Sequence, residues 1–192
     1  AQIWIPVPND PWKNPYSTPA QRNAYINEVL RRVGAVPGVE SVAMSASTRT
    51  PFSGSGVTQR FTFVGESTAP ADVRRAQFQL PSPDYFATLK APVLSGRAFT
   101  RADVAGSEPV VIVNQQLART QSPGQDPVGR SIVIGRQSLR IVGVVADLHD
   151  DGLDAPVSSR VYFPLFQRSN NALTVFYRSS TDPASLSTTI ER

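Results

Sequence analysis

The residues whose types and spacing could do chemistry gather at Asp147-Leu148-His149-Asp150-Asp151-Gly152. Asp147, His149 and Asp151 alternate before a glycine, as the first ligands of a calcium loop do. The twelfth position of such a loop needs a bidentate glutamate, and here it is Ser158; an imidazole also suits a hard cation poorly. With a single histidine in the chain, the usual zinc ligand sets cannot be assembled either. The alternative is a polar turn leaving a strand, in which Asp147 accepts backbone N–H bonds.

His149 is also the base that a Ser-His-Asp hydrolase would need. Asp147 and Asp150 beside it would favour the imidazolium, and no Gly-x-Ser-x-Gly elbow occurs. Gly54-Ser55-Gly56 suggests a phosphate cradle, but Gln59 stands where the dinucleotide fingerprint has its third glycine, and no Gly-Lys-Ser/Thr follows. The acids sit on turns rather than as a pair across a cleft. The pairs Tyr85-Phe86 and Tyr162-Phe163 read as core aromatics rather than a ligand cage. The sequence therefore implies no catalytic, cofactor-binding or metal-ligating residue, and no enzyme.

Composition narrows the class. The chain has 192 residues, 40% hydrophobic and 18% charged, the make-up of a globular domain with a substantial core. It has no cysteine, which excludes disulfides and thiolate chemistry. The net charge of +4 comes from 17 Arg and 2 Lys scattered along the chain, without the basic stripe of a nucleic-acid binder. No apolar run reaches the ~18 residues of a membrane span. The chain starts in an extended segment and stops in a helical one, which fits a piece of a longer protein.

The elements that must carry these residues can be read in order. Gln2–Val7 alternates as a strand, and Pro8–Pro19 is an extended connector. Thr18-Pro19-Ala20-Gln21 is a capping box opening a helix with the stripe Tyr25, Ile26, Val29, Leu30 and Val33, ended by Gly34. Val39–Ser45 completes a βαβ unit. Arg60–Val64 and Arg75–Leu80 are strands, the second with Ala76, Phe78 and Leu80 on one face. Ser82 can cap a short helix that buries Tyr85, Phe86 and Leu89. Val110–Val113 is an apolar strand from which Asn114 caps a helical piece, Gln115–Arg119. Ser131–Ile134 and Leu139–Val145 form a hairpin. Leu173–Arg178 alternates, and Asp182-Pro183 opens a last helix with Leu186 and Ile190 on one face.

Several segments taken together resemble the extracytoplasmic core domain of MacB-like ABC transporter permeases, most of all the duplicated orphan permeases of soil bacteria. They are Pro37-Gly38-Val39-Glu40-Ser41-Val42, Ser82-Pro83-Asp84-Tyr85-Phe86, Gly96-Arg97-Ala98-Phe99, Val111-Ile112-Val113-Asn114, Pro123-Gly124-Gln125-Asp126-Pro127-Val128-Gly129, Ile141-Val142-Gly143-Val144-Val145 and Val161-Tyr162-Phe163-Pro164-Leu165. Two positions depart from the pattern. Lys90 stands where glycine is usual, and Arg119-Thr120-Gln121-Ser122 lacks an aromatic.

The resemblance implies an α+β fold of two subdomains. A porter-like unit would be built from both chain ends (1–77 and 157–192), with a smaller mixed α/β subdomain inserted (78–156). It implies a non-enzymatic domain at the periplasmic face of the bacterial inner membrane, held by a membrane-anchored parent. That domain would relay ATP-driven motion and meet a second permease domain or protomer, a cytoplasmic ABC ATPase through the membrane helices, and an adaptor. A periplasmic sensor or ligand-binding module of similar build is the alternative, and a hydrolase using His149 a third reading.

Overall fold

The computed structural model describes residues 2–5, 14–46, 57–67, 69, 73–149, 154–168, 172–181 and 186. In chain order the elements are β1 (Gln2–Trp4), α1 (Pro19–Gly34), β2 (Val39–Ala46), β3 (Thr58–Phe63), β4 (Arg74–Pro81), α2 (Tyr85–Thr88), β5 (Val93–Gly96), β6 (Val110–Asn114), α3 (Gln115–Gln121), β7 (Ser131–Ile134), β8 (Gln137–Val145), β9 (Arg160–Tyr162) and β10 (Ala172–Ser179). The connector before Asn14, the Gly54-Ser55-Gly56 loop, Asp150–Gly152 and, apart from the buried helical Leu186, the last helix lie outside the described residues.

The capping box forms as its sequence implies. Thr18 Oγ1 accepts from the Gln21 N–H at 3.2 Å, and Gln21 Oε1 accepts from the Thr18 N–H at 3.0 Å. Ile26, Leu30 and Val33 are buried against Met44, Ala46, Leu165, Phe166, Leu173 and Val175. Gly34 is the last helical residue but does not turn the chain through the left-handed region; the cap is Ala35, in right-handed geometry. Closeness is a physical reason for a glycine there, since a Cβ on Gly34 would lie 3.3 Å from Val42 Cγ1 on β2.

β1 and β2 each pair antiparallel with β10, which lies between them. The two strands of the βαβ unit are thus parallel to each other but not neighbours. This outer sheet continues through Ser45–Pro81 and Ala46–Leu80 pairs into β4. From β4 the strands close on themselves in the cycle β4–β3–β7–β8–β6–β9–β4. Closure leaves none of the six with an unpaired edge along the cycle. The inside of this barrel holds Phe61, Phe63, Ala76, Val111, Val113, Leu117, Ile132, Ile134, Leu139, Ile141, Val144, Val161 and Phe163.

The result is a mixed α/β fold with many strands and few helices. The strand pairing differs in one respect from the division expected from the sequence. β3 and β9, placed with the chain ends by boundaries at 77/78 and 156/157, pair with β7 and β6, and β4 belongs to both sheets. A barrel can close only if those strands take part, and nothing local in their sequences records it. β5 adds to β8 through Val93–Val145, Ser95–Val144 and Gly96–Gly143. A Cβ on Gly143 would lie 2.3 Å from the Arg97 carbonyl oxygen, and one on Gly96 would lie 2.2 Å from that of Val142. Only two glycines let these backbones come so close.

Candidate functional site

Asp147 and His149 are the described members of the ligand-like turn. Asp147 Oδ1 accepts from Asn114 Nδ2 at 2.8 Å and from the Gln116 N–H at 2.9 Å. It is therefore a second acceptor at the start of α3. His149 is exposed. Asp151, the third member of the alternation, lies outside the described residues.

The polar centre of this region is Asn114 rather than the turn. Its Oδ1 accepts from the Leu117 N–H at 3.1 Å, the cap expected from sequence, and also from the Arg160 N–H at 2.8 Å. Its Nδ2 donates to Asp147 and, at 3.0 Å, to the Ser158 carbonyl. Both lone pairs and both amide hydrogens are engaged. One buried amide thereby ties the end of β6, the start of α3, the exit from β8 and the entry to β9.

Beside this knot is a row that the sequence reading missed. Ala76, Phe78 and Leu80 were expected to be the buried face of β4, leaving Gln77 and Gln79 outward. Ala76 is buried and Phe78 and Leu80 half-buried, yet both glutamines are buried too. Gln77 Oε1 accepts from Arg160 Nη2 at 2.7 Å, and Gln79 Nε2 donates to the Tyr85 hydroxyl at 2.6 Å. The signal available was two amides at alternate positions of one strand; Gln77 is met by Arg160 of β9, distant in sequence, and Gln79 by Tyr85 of α2, six residues on.

Tyr85 belongs to the junction between outer sheet and barrel. Its ring meets Phe176 of β10 edge-on at 5.3 Å and Phe86 at 5.6 Å; Phe86 meets Tyr162 of β9 at 4.8 Å. The expectation of core aromatics holds for both quoted pairs, because Tyr85, Phe86, Tyr162 and Phe163 are all buried. Burial pushes the Tyr162 hydroxyl up to about 12 and raises that of Tyr85 further, so both stay protonated at any working pH.

Ser82, expected to cap α2, instead bonds across the junction. Its Oγ accepts from the Met44 N–H at 2.9 Å, and its own N–H donates to the Met44 carbonyl at 2.7 Å. The residue before α2 is Asp84, whose side chain makes no capping bond. Extending the β2–β4 ladder satisfies two buried backbone groups, and a helix of four residues (Tyr85–Thr88) offers Ser82 less.

Two acids, Asp103 and Glu66, hold ion pairs at the periphery. Arg97 reaches both oxygens of the buried Asp103, at 2.8 and 2.9 Å, and the Thr100 N–H donates to it at 2.7 Å. Burial works against the charge of Asp103, but Arg97 and Thr100 together hold its carboxyl below the usual range. Glu66 accepts from Arg74 and Arg130, whose guanidiniums lie over the Phe63 ring. The polar side chains of the junction thus make structural bonds between strands. The arrangement suits a rigid coupling of outer sheet to barrel.

Comparison with known proteins finds the same mixed α/β fold in solved structures. The family model described as MacB-like periplasmic core domain matches residues 3–192. The periplasmic region of MacB from Actinobacillus actinomycetemcomitans superposes with a TM-score of 0.59 at 14% identity, over 85% of this chain and 70% of that one. The extracellular domain of the noncanonic ABC-type transporter YknZ from Gram-positive bacteria gives 0.57 at 17% identity, over 98% and 86%. A 74-residue stretch is 28% identical to the pyoverdine export ATP-binding/permease protein PvdT of Pseudomonas putida; it is 38% of this chain and spans 11% of that protein's length.

Proposed function

The chain belongs to the MacB-like periplasmic core domain family, and from this we propose that it is the non-enzymatic extracytoplasmic domain of a membrane-anchored ABC transporter permease. In this reading it carries ATP-driven motion across the membrane to partner domains outside. Its partners are a second permease domain or protomer, a cytoplasmic ATPase acting through the membrane helices, and an adaptor on the outer side.

The observation that carries the reading is the placement of β1 and β10. Gln2 pairs with Thr174 and Trp4 with Ala172. The start of β1 and the run of β10 past Thr174 therefore point toward the same end of one sheet. A pull applied there acts on two adjacent strands and passes through β2 and β4 into the barrel. We divide the domain accordingly into an outer lobe, built on α1, β1, β2 and β10, and an inserted lobe formed by the barrel, with β4 shared.

The test is a distance measurement in the intact parent permease with its ATPase. Spin labels at exposed Val64 of each of the two extracytoplasmic domains report their separation. A shift between the ATP-bound and nucleotide-free states is expected, with labels at Val64 and Leu94 of one domain keeping their spacing. A domain–domain distance that ignores ATP during turnover would overturn the relay. A parent without flanking membrane helices would overturn the permease reading.

A further inference from the structure

On the outer face of the barrel, Arg60 of β3 and Arg75 of β4 are direct cross-strand partners. Both are exposed, and neither side chain has a hydrogen-bond or ion-pair partner among the described residues. Like charges opposite each other in an antiparallel pair destabilise the sheet. The chain has acids, and other arginines use them: Arg74 and Arg130 share Glu66, and Arg97 holds Asp103. A third exposed arginine extends the pair. β3 and β7 are registered Thr62 to Val133. Two residues further along each strand, Arg60 comes level with Gly135 and the β7–β8 turn, whose next residue is the exposed Arg136. The Arg136 side chain likewise has no partner among the described residues.

We infer that the row Arg75–Arg60–Arg136 is a docking surface for an acidic segment of a partner protein. Strands lie about 4.8 Å apart, so the row spans roughly 10 Å across the barrel. Carboxylates at alternate positions of an extended segment are about 6.7 Å apart, and two of them fall within reach of three flexible guanidiniums. Each guanidinium presents a planar fork that fits a carboxylate bidentately. A protein is favoured over a lipid surface by position. The first and last described strands, β1 and β10, are neighbours, and β2 and β4 intervene before β3 in the sheet order. That step rests on the permease reading, because it takes the membrane to lie beside β1 and β10; the arginine row does not.

The experiment uses the 192-residue chain and a labelled twelve-residue peptide alternating glutamate and serine, followed by anisotropy at low and physiological salt. Three proteins are compared: wild type, R60S/R75S/R136S, and R32S/R101S/R119S, which loses the same charge from α1, the loop after Phe99 and α3. Wild type should bind the peptide, more weakly as salt rises, and a glutamine version should not bind. The row variant should bind about tenfold more weakly or worse, with the other variant within about twofold of wild type. Thermal melting checks folding; relief of the Arg60–Arg75 repulsion predicts that the row variant melts no lower than wild type. Equal loss in both variants would reduce the effect to net charge and overturn the inference. So would no binding at all, or row-dependent binding to phosphatidylglycerol vesicles without peptide binding. None of these failures would touch the ATP-linked distance shift in the intact permease.

Discussion

Lys90 offers the sharpest test of the local physics. It is the one non-glycine residue with a positive φ among those described, at 56°. The hydrogen bonds around it explain why. Ala91 N–H donates to the Phe86 carbonyl at 2.8 Å, and Lys90 N–H to that of Ala87 at 3.1 Å. These are the two bonds of a Schellman motif closing α2, with Leu89 as the cap and Lys90 at the left-handed position that glycine normally fills. Ala91 and Phe86 share a buried cluster, the apolar contact that accompanies the motif. A Cβ in this conformation costs about 1–2 kcal/mol, and a glycine in the unfolded chain gives back roughly 0.5–1 kcal/mol through its extra freedom. Lys90→Gly should therefore stabilise the domain by about 0.5–1 kcal/mol. At this chain length that raises Tm by roughly 1–4 °C, measurable by calorimetry, with the free energy checked by urea unfolding. Lys90→Ala keeps the Cβ and should show no such gain, although it removes the same exposed charge. If Lys90→Ala stabilises as much as Lys90→Gly, or if the glycine variant melts lower, the strain argument fails.

Other perturbations follow from the junction. Gly143→Ala forces a Cβ against the Arg97 carbonyl and should cost about 2–3 kcal/mol as β5 is pushed from β8; Val142→Ala beside it should cost under about 1 kcal/mol, by urea melts. Asn114→Asp removes both amide donors and sets a carboxylate against Asp147. It should lose about 3 kcal/mol at pH 7, and because that carboxyl's folded pKa is raised, part of the loss should return as pH falls toward about 4; a deficit that does not change with pH would refute this. Asp103→Asn should cost about 2 kcal/mol at pH 7. The folded carboxyl of Asp103 is depressed, so its contribution is present above the unfolded value of about 3.9 and is lost as pH falls through the lower folded value. The gap between Asp103→Asn and wild type should narrow at pH 3, and an equal gap at pH 3 and pH 7 would contradict the ion-pair account.

Several of the segments that carried the family resemblance turn out to be places where backbone geometry leaves little choice. Gly96 and Gly143, from two of those segments, face each other at the β5–β8 approach. Asn114 ends another and caps α3 as its sequence implies. The departure at Lys90 was visible as a missing glycine before its φ angle was known. The polar centre was harder to see. Asp147 stood out because it sits among other acids, whereas Asn114 and Arg160 are polar residues at the ends of apolar strands and Gln77 and Gln79 alternate along β4. Gln77 meets Arg160 across 83 residues, and Asn114 meets Asp147, Ser158 and Arg160 across more than thirty, so no short window contains both ends of those bonds.

Local chemistry in the chain was enough to determine α1 and its cap, the β7–β8 hairpin and most of the strands, because those depend on residues within a few positions of one another. It also sufficed to indicate the family, through turn formers whose order survives wide divergence. Only the tertiary structure decided that β10 separates β1 from β2, that β3 and β9 close a barrel, that Ser82 bonds to Met44 instead of capping α2, and that Arg60 faces Arg75. Strand order and cross-strand register are set by which apolar faces are buried together over the whole molecule, and that burial depends on contacts between residues far apart in the chain.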